Sequence, residues 1–189
     1  MVADSAAAFA RLDTWRIDLA PTAPGWLGTT AGVTDEGELV ALVRFASTAD
    51  ARASSDRVEQ GMWWAKSATV FAGDVSFDNY ENTTLFGDGG TDDAPVVEVL
   101  LGRVRARRGH TDLAAELGAR SLALGSDVVG GVVGLHEDGR LALATYFRTD
   151  TATSAGERDV AGWVKGSANL ADARLLRLRN LWFGAPDPV

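Results

Sequence analysis

Gly28-Thr-Thr-Ala-Gly-Val-Thr-Asp-Glu-Gly-Glu-Leu-Val-Ala-Leu-Val-Arg-Phe45 is answered, at a constant offset of 102 residues, by Gly130-Gly-Val-Val-Gly-Leu-His-Glu-Asp-Gly-Arg-Leu-Ala-Leu-Ala-Thr-Tyr-Phe147. Gly28, Gly32, Gly37, Leu39 and Phe45 meet Gly130, Gly134, Gly139, Leu141 and Phe147. After a three-residue shortening, Trp64-Ala-Lys66 falls on Trp163-Val-Lys165. A chain that repeats itself in this way is built from two copies of one unit. Each copy of the quoted stretch reads as a hairpin, with strands at 26–33 and 38–46 and at 128–135 and 140–148. Asp35-Glu36-Gly37 and Glu137-Asp138-Gly139 supply the turns, glycine standing where a positive φ is needed. Leu39, Ala41, Val43 and Phe45 alternate with Val40, Leu42 and Arg44, and Leu141, Leu143, Thr145 and Phe147 keep that parity. One face of each strand therefore turns to helices.

Working outward, residues 5 to about 20 carry Phe9, Leu12, Trp15, Ile17 and Leu19 at helical spacing and end at Pro21 and Pro24. Residues 111–123 are the counterpart, with Leu113, Leu117 and Leu122 as the buried stripe. A second helix of copy one spans 48–71. Ser47 and Asp50 form its capping box, a break falls near Ser54-Ser55, and Val58, Met62, Ala65 and Thr69 make the inner stripe. Ser154 and Glu157 offer the same cap in copy two. Closing strands are expected at 74–86 and 173–183, an acidic glycine-rich linker at 87–95, and an apolar strand at 96–105. Copy two (96–189) thus reads β-α-β-β-α-β, the ferredoxin-like split βαβ pattern, within an α+β fold. Copy one (1–86) lacks its opening strand. Three outcomes satisfy its backbone: an upstream start, an abbreviated sheet, or a strand lent by the other copy or another molecule.

With 189 residues, 46% of them hydrophobic, the chain fills a sizeable core. It has no cysteine, which removes disulfides, thiolate nucleophiles and sulfur metal sites. A formal net charge of -8 argues against nucleic acid. No apolar run of membrane-spanning length and no basic-plus-apolar leader is legible, so a cytoplasmic, membrane-free protein is expected.

Ala23-Pro-Gly-Trp-Leu-Gly28, Asp35-Glu-Gly37, Val43-Arg-Phe45-Ala-Ser47 and Ser55-Asp-Arg57-Val-Glu-Gln60-Gly-Met-Trp-Trp64 resemble the antibiotic biosynthesis monooxygenase-like group of the dimeric α/β barrel superfamily. Val97-Glu-Val-Leu-Leu-Gly102-Arg-Val104 resembles the opening strand of such a unit. The likeness covers most of the chain and is closest to tandem proteins of the actinobacterial type. It implies two ferredoxin-like units packed sheet to sheet as an internal pseudo-dimer, hence a pseudo-dimeric monomer or a homodimer. It also implies a cofactor-independent monooxygenase acting on an aromatic or polyketide-like small molecule. The alternative is a non-catalytic binding or assembly module of the same fold, whose filled interior has no cavity of about 300 Å³ or more.

Oxygenation without a cofactor needs an apolar pocket, a means of removing a phenolic or enolic proton, and dipoles that hold the resulting anion. Trp63, Asn79 and Tyr80 are the substrate-binding candidates. Trp64 is read as core because Trp163 repeats it, whereas Trp63 faces Gly162 in the alignment and is free to wall a pocket. A plain edge strand explains Asn79 and Tyr80 equally well. Arg174, Arg177 and Arg179 interrupt leucines and are read as salt-bridge partners. His110 at a helix start and His136 beside a hairpin tip form no metal triad. No cofactor or metal is expected, and no residue is legible as the base.

Overall fold

Both hairpins form, bond for bond alike. The computed structural model describes residues 4–71, 73–104, 110–150 and 170–186. β1 (Trp26–Val33) pairs antiparallel with β2 (Leu39–Phe45). β5 (Val128–Leu135) pairs antiparallel with β6 (Arg140–Phe147). In one turn Thr34 N donates to Glu38 O and Gly37 N to Thr34 O; in the other His136 N donates to Arg140 O and Gly139 N to His136 O, all at 2.9 Å. Gly37 and Gly139 have φ of +79° and +91°. A register shift falls between Trp26 and Gly28 and again between Val128 and Gly130. At these bulges Gly28 and Gly130 have φ of +136° and +153°, backbone that side chains rarely tolerate.

The chain divides into two compact units, Met1–Phe77 with Leu181–Val189, and Asp78–Asn180. In the first unit, α1 (Ser5–Asp18) begins at Asp4, whose carboxylate accepts from Ala6 N and Ala7 N. α2 (Thr48–Ser55) is capped by Ser47, which accepts from Asp50 N at 3.1 Å and donates to Asp50 Oδ2 at 2.7 Å. After a break at Asp56 and Arg57, α3 (Val58–Ser67) follows. Its buried residues are Trp63 and Ser67, while Val58 and Met62 are exposed. The inner face is therefore rotated from the expected Val58-Met62 stripe. The cause is the Trp63 ring, which fills the space beside Trp15, Leu19, Ala20 and Trp26. Burying an indole outweighs burying Val58 or Met62.

In the second unit the strand order is β7-β4-β6-β5-β3, where β4 is Val96–Val104, β3 is Asn82–Gly87 and β7 is Leu170–Gly184. α4 (His110–Leu122) packs on this sheet through Leu113, Ala114 and Leu117, against Leu100, Leu141 and Leu143. Residues 170–178 of β7 pair antiparallel with β4. At Asn180, φ is +47°, and from Leu181 onward the strand belongs to the first unit. There β1 lies between β2 and β7, and a Cβ on Gly28 would stand 3.1 Å from Gly184 O.

The end of β7, from the C-terminal half of the chain, therefore supplies a strand beside β1 in the first unit. Conversely β3, the closing strand of copy one, pairs with β5 in the second unit. It starts at Asn82 and not at 74, because residues 74–81 have nothing equivalent to β4 to pair with. Among the described residues the fold is α+β, with four helices and seven strands, and no helix is long and apolar enough to cross a membrane. Trp163, Lys165, Asn169 and the second helix of copy two lie outside the described residues.

Candidate functional site

Trp63 belongs to the first unit, Asn79 and Tyr80 to the second. Trp63 is 7% exposed, and its Nε1 donates to Arg11 O and to Thr14 Oγ1, each at 3.2 Å. The Arg11 guanidinium carbon lies 5.7 Å from the centre of its ring. Trp64, expected in the core, is half-buried and packs edge-on to Phe77. The repeat favoured Trp64, but the rotation of α3 gives the core position to its neighbour.

Asn79 is exposed and Tyr80 half-buried on the segment leading into β3. Gly134 leaves the Tyr80 side chain its place, since a Cβ there would meet Tyr80 Cβ at 2.9 Å. Burial raises the Tyr80 pKa, assisted by Asp78 and Asp138 and opposed by Arg140. A phenol so placed stays protonated throughout the neutral range. Arg140 is ion-paired to Asp78 and to Asp138. The Asp138 carboxyl is held down to about 2, first by the Arg140 backbone N–H, which donates at 3.0 Å, and then by His136 and the Arg140 guanidinium. His136 Nδ1 stands 2.9 Å from Asp138 Oδ1 and 3.2 Å from Asp138 N. One nitrogen does not serve both; the charge-assisted bond to the carboxylate is the stronger, so the proton belongs on Nδ1.

Directly after Tyr80 in the chain, Glu81, Asn82, Thr83 and Thr84 line an open groove of about 290 Å³ with Thr111, Ala114 and Leu135. It runs between β3 and the first turns of α4. It offers hydroxyls, one amide and one carboxylate over an alanine and leucine floor. Sequence reading missed it because Thr111 and Thr84 meet only through the β3–β5 pairing.

Under the other end of α4 lies an enclosed polar spot. Glu98 is 3% exposed in the middle of the apolar β4. The register sets Thr145 of β6 on one side of it and Arg177 of β7 on the other. Arg177 Nε donates to Glu98 Oε1 at 3.1 Å, and Nη2 donates to the same oxygen. Arg179 pairs with Asp150 at 3.6 Å. Arg177 and Arg179 thus make ion pairs, as expected of arginines among leucines. Glu98 carried no sequence signal beyond being one acid in an apolar strand. Among the described residues no three His, Cys, Asp or Glu side chains are grouped to hold a metal.

No protein-family model matches this sequence, and no curated protein does. Two solved structures, each named a "putative monooxygenase", are similar to it. The one from Fusobacterium nucleatum superposes with a TM-score of 0.67 at 7% identity, over 100% of this chain and 91% of that one. The one from Lactobacillus acidophilus gives 0.58 at 13% identity, over 94% and 88%. What is shared is the fold. At these identities no residue role transfers, so the chemistry has to be argued from this chain's own side chains.

Proposed function

We propose that this chain is a monooxygenase-like protein that takes an aromatic or polyketide-like phenol or enol into the groove beside α4 and oxygenates it without a bound cofactor. The observation that supports this most directly is a groove of about 290 Å³, near the lower end of the range for ligand sites, which opens with Glu81 on the segment that follows Tyr80 in the chain. In this reading Tyr80 donates to the anionic oxygen of the substrate and Asn79 supplies a second donor. Glu81 is the carboxylate placed to receive the phenolic proton. Trp63 is buried within the first unit, where it fixes α3 against Trp15 and Trp26. The tandem reading, 1–86 and 96–189 as ferredoxin-like units around the linker 87–95, accompanies this proposal. The order β7-β4-β6-β5 and the matched hairpins support it. A pseudo-dimeric monomer or homodimer in the cytoplasm belongs to the same proposal.

The test is oxygen uptake with a panel of anthrones and naphthols, in chelator and without flavin, beside amide-shift mapping of Thr84 and Thr111. Turnover with shifts confined to the groove supports the reading, and Tyr80→Phe then weakens both. Absence of uptake and of shifts ends it. The second reading, a non-catalytic module, is favoured by a different observation: the space between α4 and the sheet at Glu98 and Ser121 measures only about 10 Å³. Binding without turnover would select that reading.

A further inference from the structure

Three buried serines sit on or beside helices, and they solve the same problem differently. A helical serine taken out of water ordinarily turns its hydroxyl back to the carbonyl four residues earlier. Ser67, fully buried, does so: its Oγ donates to Trp63 O at 2.7 Å and accepts from Arg11 Nε at 3.2 Å. Ser54 has Arg57 Nη2 within 3.5 Å. Ser121 on α4 is 1% exposed, and its Oγ has no hydrogen-bond partner. That oxygen lines a void of about 10 Å³ whose other walls are Glu98, Thr145, Leu100, Leu124, Leu143 and Leu175.

We propose that this void is a binding site for a single water molecule, which joins the Ser121 hydroxyl to the Glu98 carboxylate with Thr145 beside it. The size fits: about one water-sized probe is the smallest space that holds a water. The chemistry fits as well. Leaving a buried hydroxyl unsatisfied costs about 1–3 kcal/mol, and a water accepts from or donates to Ser121 while donating to a carboxylate. Other occupants fit worse. An anion meets the Glu98 carboxylate. A metal ion meets the Arg177 guanidinium and too few oxygens, since calcium takes 6–8. An apolar molecule leaves Ser121 unsatisfied. Glu98 already gives Oε1 to two nitrogens of Arg177, so the water completes a chain Arg177–Glu98–water–Ser121 that ties β7 and β4 to α4. Ser121 is then a positioning residue for the buried ion pair.

Two measurements on the full chain test this, and neither depends on oxygenase activity. A high-resolution crystal structure is expected to show one ordered water within hydrogen-bond distance of Ser121 Oγ and the Glu98 carboxylate. An empty void, or Ser121 Oγ donating to Leu117 O, overturns the proposal. The second measurement is the sign of the Tm change in Ser121→Ala. If the void is dry, alanine removes an unsatisfied hydroxyl and raises Tm, aided by its better helix propensity. If the water is there, alanine strips it of a partner and lowers Tm by about 2–4 °C, the shift that one net hydrogen bond gives in a chain of this size. Thr145→Val acts as the companion variant. Its loss and that of Ser121→Ala are expected to be non-additive because one water serves both; full additivity counts against the proposal.

Discussion

The closing segments of the two copies, 74–87 and 170–184, occupy equivalent places in the repeat and fold differently. The second is one strand throughout, bonded first to β4 and then handed to the first unit. The first becomes a strand only over Asn82–Gly87, where β5 is available. The difference teaches that strand formation here is decided by the neighbour and not by the segment. Where the first half of the chain lacks a strand equivalent to β4, residues 74–81 stay irregular.

The bulge regions offer the sharpest way to break the comparison. At Gly131 a Cβ would lie 1.9 Å from Ala144 O and 2.6 Å from Phe86 Cζ. Gly131→Ala is expected to cost upward of about 5 kcal/mol in urea unfolding. The equivalent residue in copy one is Thr29, which only accepts from Trp26 Nε1 at 3.0 Å, so Thr29→Ala should cost about 1 kcal/mol. Similar costs at the two sites would mean that Ala144 and Phe86 do not crowd Gly131 at these distances. Arg177→Met leaves Glu98 buried and unneutralised, an expected loss of about 4 kcal/mol, most of which Glu98→Leu on the same background restores. Copy one has no counterpart to this pair, and a loss below about 1 kcal/mol would show that the pair is solvated.

A milder contrast lies one residue back. Gly130→Ala places a Cβ 2.4 Å from Phe86 O and 2.7 Å from Asp88 N, whereas at Gly28 the nearest atoms are Gly184 O at 3.1 Å and the tip of Arg44 at 3.3 Å. Losses of about 3 and about 1.5 kcal/mol are expected. Trp182→Phe, which deletes the 2.9 Å bond from Nε1 to Asp13 Oδ1, should cost about 1 kcal/mol and report on the lent end of β7. The smallest effect is a titration. The folded-state pKa of Asp138 is depressed to about 2, so its contribution is fully present above the ordinary carboxylate range and is lost as pH falls toward 2. A carboxyl carbon resonance that titrates near 4 would contradict the hydrogen bonds around the second turn.

Much of this molecule was legible because its signals are local. Gly37 and Gly139 mark turns, alternation from Leu39 and from Leu141 marks strands, and Ser47 with Asp50 marks a helix start. The exchange of closing strands left no trace, because nothing within 74–87 or 170–184 names the distant strand that each will meet. The same non-locality buried Trp63 more deeply than Trp64, since the outcome depends on the space left by Trp15 and Trp26. Of the candidate site, Tyr80 could be named from its chemistry alone, whereas the groove that follows it in the chain depends on α4 and β3 coming together. Glu98 and Ser121 were passed over because an acid in one strand and a serine in one helix mean little until the register is known.

The handover of β7 at Asn180 bears on how this protein can be divided. Cutting the gene at the acidic linker would separate two halves that each end in a segment belonging to the opposite unit. Neither fragment should be a stable domain by itself, while co-expressed fragments should reassemble. Each half of the chain would thus be completed only by the other, which makes the two units indivisible at the level of the gene.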